Sequence, residues 1–408
     1  MNYKEAYKKL EEYKQLHILE YYDELSYYEQ QELISQINET DFSVLNSYNH
    51  SKGHFEDGEI EAMEIMKLNK SKDKSDRYSS VGIEAIKEGK IALVLLAGGM
   101  GTRLGADIPK GMFNIGITRP IYIYERIINN IMDVVKETNT WIHLFVMTSN
   151  INHDTTIKFF KKKDYFGYNI DYITFLKQEM SPTTDFNGKV YMESKNKFSV
   201  SPNGNGGWYK SLKENGLTDV NNKGRIEWIN VFSVDNVLQR IAEPGFVGAT
   251  IANDYDVGVK VVKKVSPEEK VGVICKRNKK PFIIEYYEMD DELLYKKDED
   301  GEYLYSYGVI LNYLFKVSTL DKIVEKDMPI HLANKKISYI DKDARLINPE
   351  ESNGYKYEML ILDMISMMDS CLAYEVERSK EFAPIKNRTG IDSVESAREL
   401  LRENGIEL

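Results

Sequence analysis

The chain has 408 residues, 42% hydrophobic and 11% aromatic, which is enough to build a sizeable core. Its 65 acidic residues against 54 basic ones leave a formal net charge of −11, which argues against nucleic acid or an anionic membrane as the main partner, since both select a basic face. The two cysteines, Cys275 and Cys371, are too few for a disulfide framework and lack zinc-ligand spacing, and no apolar run approaches a membrane-spanning length.

The opening stretch MNYKEAYKKLEEYK is charged and amphipathic rather than apolar, so no secretory leader is visible and a cytoplasmic protein is expected. Residues 1 to about 45 read as helical, with Leu10, Tyr13 and His17, then Leu33, Ile34 and Ile37, at helical spacing. Ser26 to Glu29 (SYYE) fits a capping box before the second apolar run. Residues 50 to 80, including KLNKSKDKSDRYSS, are polar and charged and read as a loop or linker. Beyond them, short apolar runs alternate with amphipathic segments. IALVLLAG, WIHLFVMTS (141–149), IDYITFLKQ (170–178) and IEWINVFSVDN (226–236) read as strands. PIYIYERIINNIMDVV (120–135) and NHDTTIKFFKK (152–162) read as helices. VGVKVVKKV and PFIIEYYEM look like later strands, and EMLILDMISMMDSCLAYEV (358–376) like a long, mostly buried helix. Such alternation predicts helices packed around a largely parallel sheet.

The stretch with the most chemistry is LLAGGMGTRLGADIPKG, residues 95–111. Glycines at this density cost conformational entropy, which a close approach of backbone to an anion offsets. A P-loop requires Gly, four residues, then Gly-Lys-Ser/Thr, and no segment supplies it. Gly99, Gly101 and Gly105 are spaced one residue too long for the dinucleotide fingerprint. What fits is a loop after a buried strand whose N–H groups face a nucleotide, with Arg103 and Lys110 adding charge. The competing reading is a glycine-rich turn with two solvated cations. Asp235 ends another apolar strand, at the edge where open α/β sheets bind ligands. A carboxylate there can hold Mg²⁺ against phosphate oxygens, or it can cap a following helix.

The string LAGGMGTRLG…PKG resembles the signature of the nucleotidyltransferases that make nucleotide sugars, in the form found in eukaryotic UDP-N-acetylhexosamine pyrophosphorylases. FLKQEM, SPNGNGGWYKSL, VFSVDN, EEKVGVICKRNKKPFIIEY and YEVERSKEFAPIKN match in order, and the resemblance runs from about residue 10 to about 400. It implies a three-layer, Rossmann-like nucleotidyltransferase core (GT-A-like) of α/β class with a mixed sheet, a helical N-terminal attachment over 1–85, a catalytic domain over 86–385 and a short C-terminal tail over 386–408. The reaction implied is UTP plus N-acetylglucosamine 1-phosphate giving UDP-N-acetylglucosamine (UDP-GlcNAc) and pyrophosphate, with Mg²⁺ or Mn²⁺.

By the same resemblance, Leu96, Ala97, Gly98 and Gly99 contact the uridine through the backbone, Gln178 reads the uracil edge and Gly204 lies against the nucleotide and sugar. Arg103 and Lys110 hold the triphosphate, Lys386 reaches the α-phosphate and Asp235 holds the metal. Asn205, Gly272 and Glu285 contact the sugar. Where the family carries an Asn-Ala-Gly-Asn string, this chain has SYGV, so Val309 replaces an asparagine amide, with Asn312 a candidate substitute one helical turn on. Family members continue for a further domain after the lysine of the KN pair, whereas this chain ends at Leu408, so a monomer is expected. The nearest rival is a UDP-glucose or broad UDP-sugar pyrophosphorylase. The extra residue in the glycine loop speaks against a nicotinamide-dependent dehydrogenase. Joint retention of Arg103, Lys110, Asp235 and Lys386 speaks against a non-catalytic UDP-sugar sensor.

Overall fold

The computed structural model describes residues 1–49, 58–68, 72–214, 226–324 and 328–408. Two compact units interleave along the chain: Met1–Asp57 with Gln178–Trp208 and Met328–Asp363, and Gly58–Lys177 with Tyr209–Asp327 and Met364–Leu408. These units cut across the expected segments 1–85, 86–385 and 386–408. The cause is packing: helix Val394–Glu403 of the supposed tail buries Val394, Ala397 and Leu401 in the core of the larger unit.

The larger unit is built on a mixed sheet. Strand Ile91–Leu96 runs parallel to His143–Thr148 on one side and to Trp228–Ser233 on the other, with Leu96 opposite Ser233. Ile173–Lys177 extends the parallel part. Tyr307–Lys316 then runs antiparallel between Trp228–Ser233 and Val257–Lys263. Every residue of Ile91–Leu96 and His143–Thr148 is buried, as expected of strands covered on both faces rather than alternating. Helix Ile123–Thr138 contributes Ile123, Ile127, Ile131 and Val134 to the core at helical spacing, against Leu93, Leu95, Leu144 and Val146.

Two expectations are corrected here. Within the predicted linker, residues 50–57 and 69–71 lie outside the described residues, but Lys72–Lys87 is a helix. It packs backbone to backbone on helix Pro244–Ala252: a Cβ on Gly82 would stand 2.0 Å from Pro244 O, and one on Gly248 would stand 1.7 Å from Tyr78 O. That contact stabilises a helix whose polar composition disguises it. The long helix expected over 358–376 is instead the end of strand Gly354–Glu358, a short helix Ile361–Ser366 and strand Cys371–Glu375. Cys371–Glu375 is a buried parallel neighbour of Val257–Lys263, and a short apolar run of that kind carries no period that separates strand from helix.

The smaller unit begins with helices Tyr3–Glu12 and Tyr27–Glu39. The expected capping box is present: Ser26 N–H donates to Glu29 Oε2 at 2.9 Å and Ser26 Oγ accepts from Glu29 N–H at 3.4 Å. Ala6, Leu10, Leu33, Ile34 and Ile37 form its core with Val190, Met192 and Phe198. A three-stranded sheet orders His331–Lys335, Gly354–Glu358 and Thr184–Asp185. No helix among the described residues is long and apolar enough to cross a membrane.

Candidate active site

In the larger unit, the glycine loop leaves the sheet at the carboxyl end of Ile91–Leu96. Ala97 N–H donates to Met147 O at 2.7 Å, and the Asn152 amide donates to Ala97 O at 3.0 Å and Gly99 O at 3.4 Å. Ala97 therefore has both backbone groups committed inside the fold and serves to anchor the loop. Among the described residues, the N–H groups of Gly98 and Gly99 make no hydrogen bond, and a Cβ on Gly99 would meet nothing within 4 Å. The loop closes on itself through Lys110 N–H to Gly99 O (3.1 Å) and Gly101 N–H to Ile108 O (2.8 Å). This closed loop presents Arg103 outward on the turn Thr102–Leu104, while Leu104 is buried.

Lys110 and Asp235 meet. The ammonium donates to Asp235 Oδ1 at 2.7 Å, with side-chain exposures of 12% and 33%. The helix-cap alternative for Asp235 is excluded, because the next helix, Pro244–Ala252, starts after Glu243. Asp235 O also accepts from Ile385 N–H at 2.9 Å, which brings the segment carrying Lys386 to the same sheet edge. Asn236 fastens that segment: its amide donates to Glu381 O at 2.7 Å and its oxygen accepts from Ala383 N–H at 2.9 Å. Lys260, wholly buried, donates to Glu243 and Glu381 at 2.6 Å each. Lys386 itself pairs with Asp392 at 3.0 Å. Asn152, Asn236 and Lys260 were not singled out from sequence. Asn236, next to Asp235 in VFSVDN, had the only local signal.

The two sugar candidates of this unit, Gly272 and Glu285, converge with Val309. Val309 N–H donates to Gly272 O at 2.9 Å. A Cβ on Gly272 would lie 3.5 Å from Val309 Cγ2 and 3.7 Å from Glu285 Oε2. Burial raises the Glu285 pKa above the usual carboxylate value, Glu288 adds to the shift and Lys386 opposes it, so Lys386 is near enough to Glu285 to act on it. Asn312 does not substitute for the missing asparagine. It lies on a strand, after a bulge at Leu311 (φ +48°), and is fully buried, accepting from Asn230 at 2.8 Å and donating to Arg240 O at 3.1 Å.

In the smaller unit, Gln178 is 8% exposed and its amide donates to Gly204 O. Gly204 has φ +87°, and a Cβ there would stand 2.2 Å from Met359 O, so only glycine fits. Asn205 Oδ1 accepts from Ile361 N–H at 2.9 Å, which leaves its amide group as the donor open to a ligand.

Among the described residues, no cluster of three or more His, Cys, Asp or Glu side chains could hold a metal by itself. A single carboxylate beside phosphate cations suits a hard divalent ion that takes most of its ligands from substrate and water. Burial pushes the Cys275 thiol up to about 12 and raises that of Cys371 as well, so neither is a nucleophile.

The profile of the UTP–glucose-1-phosphate uridylyltransferase family matches residues 41–406. The chain belongs to that family. It is 35% identical to the mouse UDP-N-acetylhexosamine pyrophosphorylase-like protein 1 over 76% of its own length and 63% of that protein's. It is 37% identical to a UDP-N-acetylglucosamine pyrophosphorylase of Saccharomyces cerevisiae, over 78% of this chain and 69% of the yeast one. A crystal structure of a putative UDP-N-acetylglucosamine pyrophosphorylase from Entamoeba histolytica superposes with a TM-score of 0.76 at 32% identity, covering 85% of this chain and 88% of that one. As a member of this family the chain is a nucleotidyltransferase-type α/β protein.

Proposed function

We propose that the protein transfers a uridylyl group from UTP to N-acetylglucosamine 1-phosphate, releasing pyrophosphate and forming UDP-GlcNAc. The observation that carries this reading is the gathering of the glycine loop, the Lys110–Asp235 pair and Lys386 at one carboxyl edge of the sheet. An oxygen of the sugar phosphate attacks the α-phosphorus of UTP in line, the bond to the β-phosphate oxygen breaks, and pyrophosphate leaves with the electron pair. No covalent enzyme intermediate is needed, so the chain's own work is alignment and charge neutralisation.

Gly98 and Gly99 offer unpaired backbone N–H groups to the nucleotide. Lys110 passes from Asp235 to phosphate oxygens, and Lys386 neutralises the α-phosphate. Arg103, presented by the loop, meets the charge that grows on the departing pyrophosphate. Asp235 fits the position of a carboxylate holding Mg²⁺ or Mn²⁺, which when bound supplies further neutralisation of phosphate charge. Gly272 and Glu285 are assigned to the hexose, Glu285 accepting from a hydroxyl, and Asn205 donates to the acetamido group or a hydroxyl. Gln178 is assigned to the uracil, and its link to Gly204 O holds the two residues as one element.

The choice of an N-acetylated hexose over glucose is supported by the names of the similar proteins from mouse and yeast, and the choice of N-acetylglucosamine by the yeast name. Pyrophosphate release from UTP, measured with a panel of hexose 1-phosphates, tests it. N-Acetylglucosamine 1-phosphate is expected to be turned over fastest. Faster turnover of glucose 1-phosphate would establish the UDP-glucose alternative instead.

A further inference from the structure

The glycine loop has a second cation beside it that the resemblance does not assign. Gly105 ends the turn Thr102–Leu104 in the left-handed region (φ +77°), and the place of its absent side chain is covered by Arg388, whose Nη1 lies 3.7 Å from the ideal Cβ position. Arg388 is far away in sequence and is brought there by a fixed turn. Lys386 N–H and Asn387 N–H both donate to Asp392 O, at 2.6 and 3.0 Å, and the Asn387 amide donates to Ile391 O at 3.1 Å. Val394 N–H then donates to Asn387 O at 3.1 Å, which ties the turn to the start of helix Val394–Glu403.

The charges around the loop divide into two kinds. Lys110 has Asp235 as its counterion and Lys386 has Asp392. Arg103 and Arg388 are exposed, and among the described residues neither has a carboxylate within ion-pair distance. Arg103 is carried on the turn that Gly105 ends, and Arg388 lies against Gly105 itself, so both exposed cations belong to the same end of the loop and either can meet an anion without first giving up a carboxylate. A guanidinium offers a planar fork of donors that matches two phosphate oxygens at once. Gly105 and Arg103 lie at the far end of the loop from the strand-proximal glycines, Gly98 and Gly99.

We propose that Arg388 is a pyrophosphate-binding residue, contacting the β- and γ-phosphate oxygens of UTP in one direction and free pyrophosphate in the other. The inference rests on the uridylyl-transfer reading for its kinetic consequences, but the binding of inorganic pyrophosphate tests it independently.

The full chain with Arg388→Gln and with Arg388→Lys is compared with the unchanged protein, both by calorimetric titration with inorganic pyrophosphate and UDP-GlcNAc and by steady-state kinetics in both directions. Arg388→Gln is expected to weaken pyrophosphate binding and raise the KM for pyrophosphate about 10- to 100-fold, the range of a charge-assisted hydrogen bond. The affinity for UDP-GlcNAc, which lacks those phosphates, is expected to stay within about 2-fold, and Arg388→Lys should recover part of the loss. Unchanged pyrophosphate affinity in Arg388→Gln overturns the proposal and marks Arg388 as a solvated arginine. An equal loss of UDP-GlcNAc and pyrophosphate binding also overturns it, because a turn holding Lys386 in place would act on both ligands. If the unchanged protein bound pyrophosphate through Arg388 yet made no UDP-sugar from any sugar phosphate, the reaction assignment would fail and this one would stand.

Discussion

Replacing Asp235 with asparagine separates charge from shape at the centre of the site. The asparagine keeps an oxygen where Asp235 Oδ1 accepts from Lys110 at 2.7 Å, so a hydrogen bond survives and only the negative charge is lost. Because the Lys110 ammonium still donates, the surviving hydrogen bond stays charge-assisted, and what is lost is the ion-pair attraction alone. For a pair whose carboxylate is 33% exposed that attraction is screened and contributes at most about 1 kcal/mol. In a chain of this size such a loss lowers Tm by only about 1–3 °C. Turnover should respond quite differently, because the proposed metal position loses the Asp235 charge and Lys110 loses its counterion. The expected fall in kcat is at least about 10²–10³-fold, the scale of removing one preorganised electrostatic contact.

The assay is pyrophosphate release as a function of Mg²⁺ concentration, run beside a thermal melt. A variant with wild-type rate and unchanged Mg²⁺ dependence would refute the metal role. A melt lowered by 10 °C or so would show that Asp235 supports the fold instead. Lys110→Met is the control for the pair, since it leaves the carboxylate in place and removes only the phosphate cation.

Arg103→Ala should lower kcat roughly 10²–10³-fold while changing UDP-GlcNAc affinity much less, and Arg103→Lys should restore only part, since an ammonium cannot make a paired contact. Calorimetry showing UDP-GlcNAc binding collapsing in step with the rate would contradict this. Val309→Asn, whose side chain stands beside Gly272, should shift the ratio of kcat/KM between N-acetylated and plain hexose phosphates by about 10-fold, the worth of one hydrogen bond; an unchanged ratio puts position 309 outside the sugar pocket. Because burial raises the Glu285 pKa, its protonated fraction grows at a higher pH than for an exposed glutamate, so the KM for the sugar phosphate should rise as pH falls through the mildly acidic range. The sign for stability is the reverse of a salt-bridged acid: the burial penalty is present above the folded pKa and disappears below the unfolded one. Glu285→Gln should therefore flatten the acidic limb of KM and gain stability over wild type at neutral pH, as kinetics and melts across pH would register.

How much of this was legible in the sequence depended on whether local pattern and tertiary demand agreed. They agreed in Ile91–Leu96, a continuous apolar run followed by glycines, and in the SYYE capping box, where Ser26 and Glu29 satisfy each other without outside help. They disagreed in Lys72–Lys87, whose side chains advertise a loop while its packing depends on Gly82 fitting against a distant helix. They disagreed again at Asn312. Spacing three residues beyond Val309 suggested a shared helical face, but on a strand bulged at Leu311 the amide turns into a buried network with Asn230 and Arg240. Candidate residues quoted from motifs came together wherever a motif ended at the sheet edge, as Lys110 and Asp235 do. The residues that hold them there, Asn152, Asn236 and Lys260, had little chance of being read, because a buried polar side chain satisfied by distant backbone leaves no local spacing.

The pairing of the lysines has a consequence for how the site discriminates charge. Lys110 and Lys386 each hold a carboxylate, so a phosphate binding there must displace Asp235 or Asp392, and part of its Coulomb gain is spent on that exchange. Arg103 and Arg388 have no such counterion among the described residues, so an anion reaching them gains without exchange. A polyphosphate that spans both kinds of cation is therefore favoured over a monophosphate by more than its extra charge alone. In a chain of net charge −11, which repels anions at long range, that difference concentrates attraction in one loop. Raising salt should weaken pyrophosphate binding more steeply than UDP-GlcNAc binding, because only the former draws on uncompensated charge. Equal salt slopes for the two ligands, measured by calorimetry from about 0.05 to about 0.5 M salt, would show instead that both rely on the same paired cations.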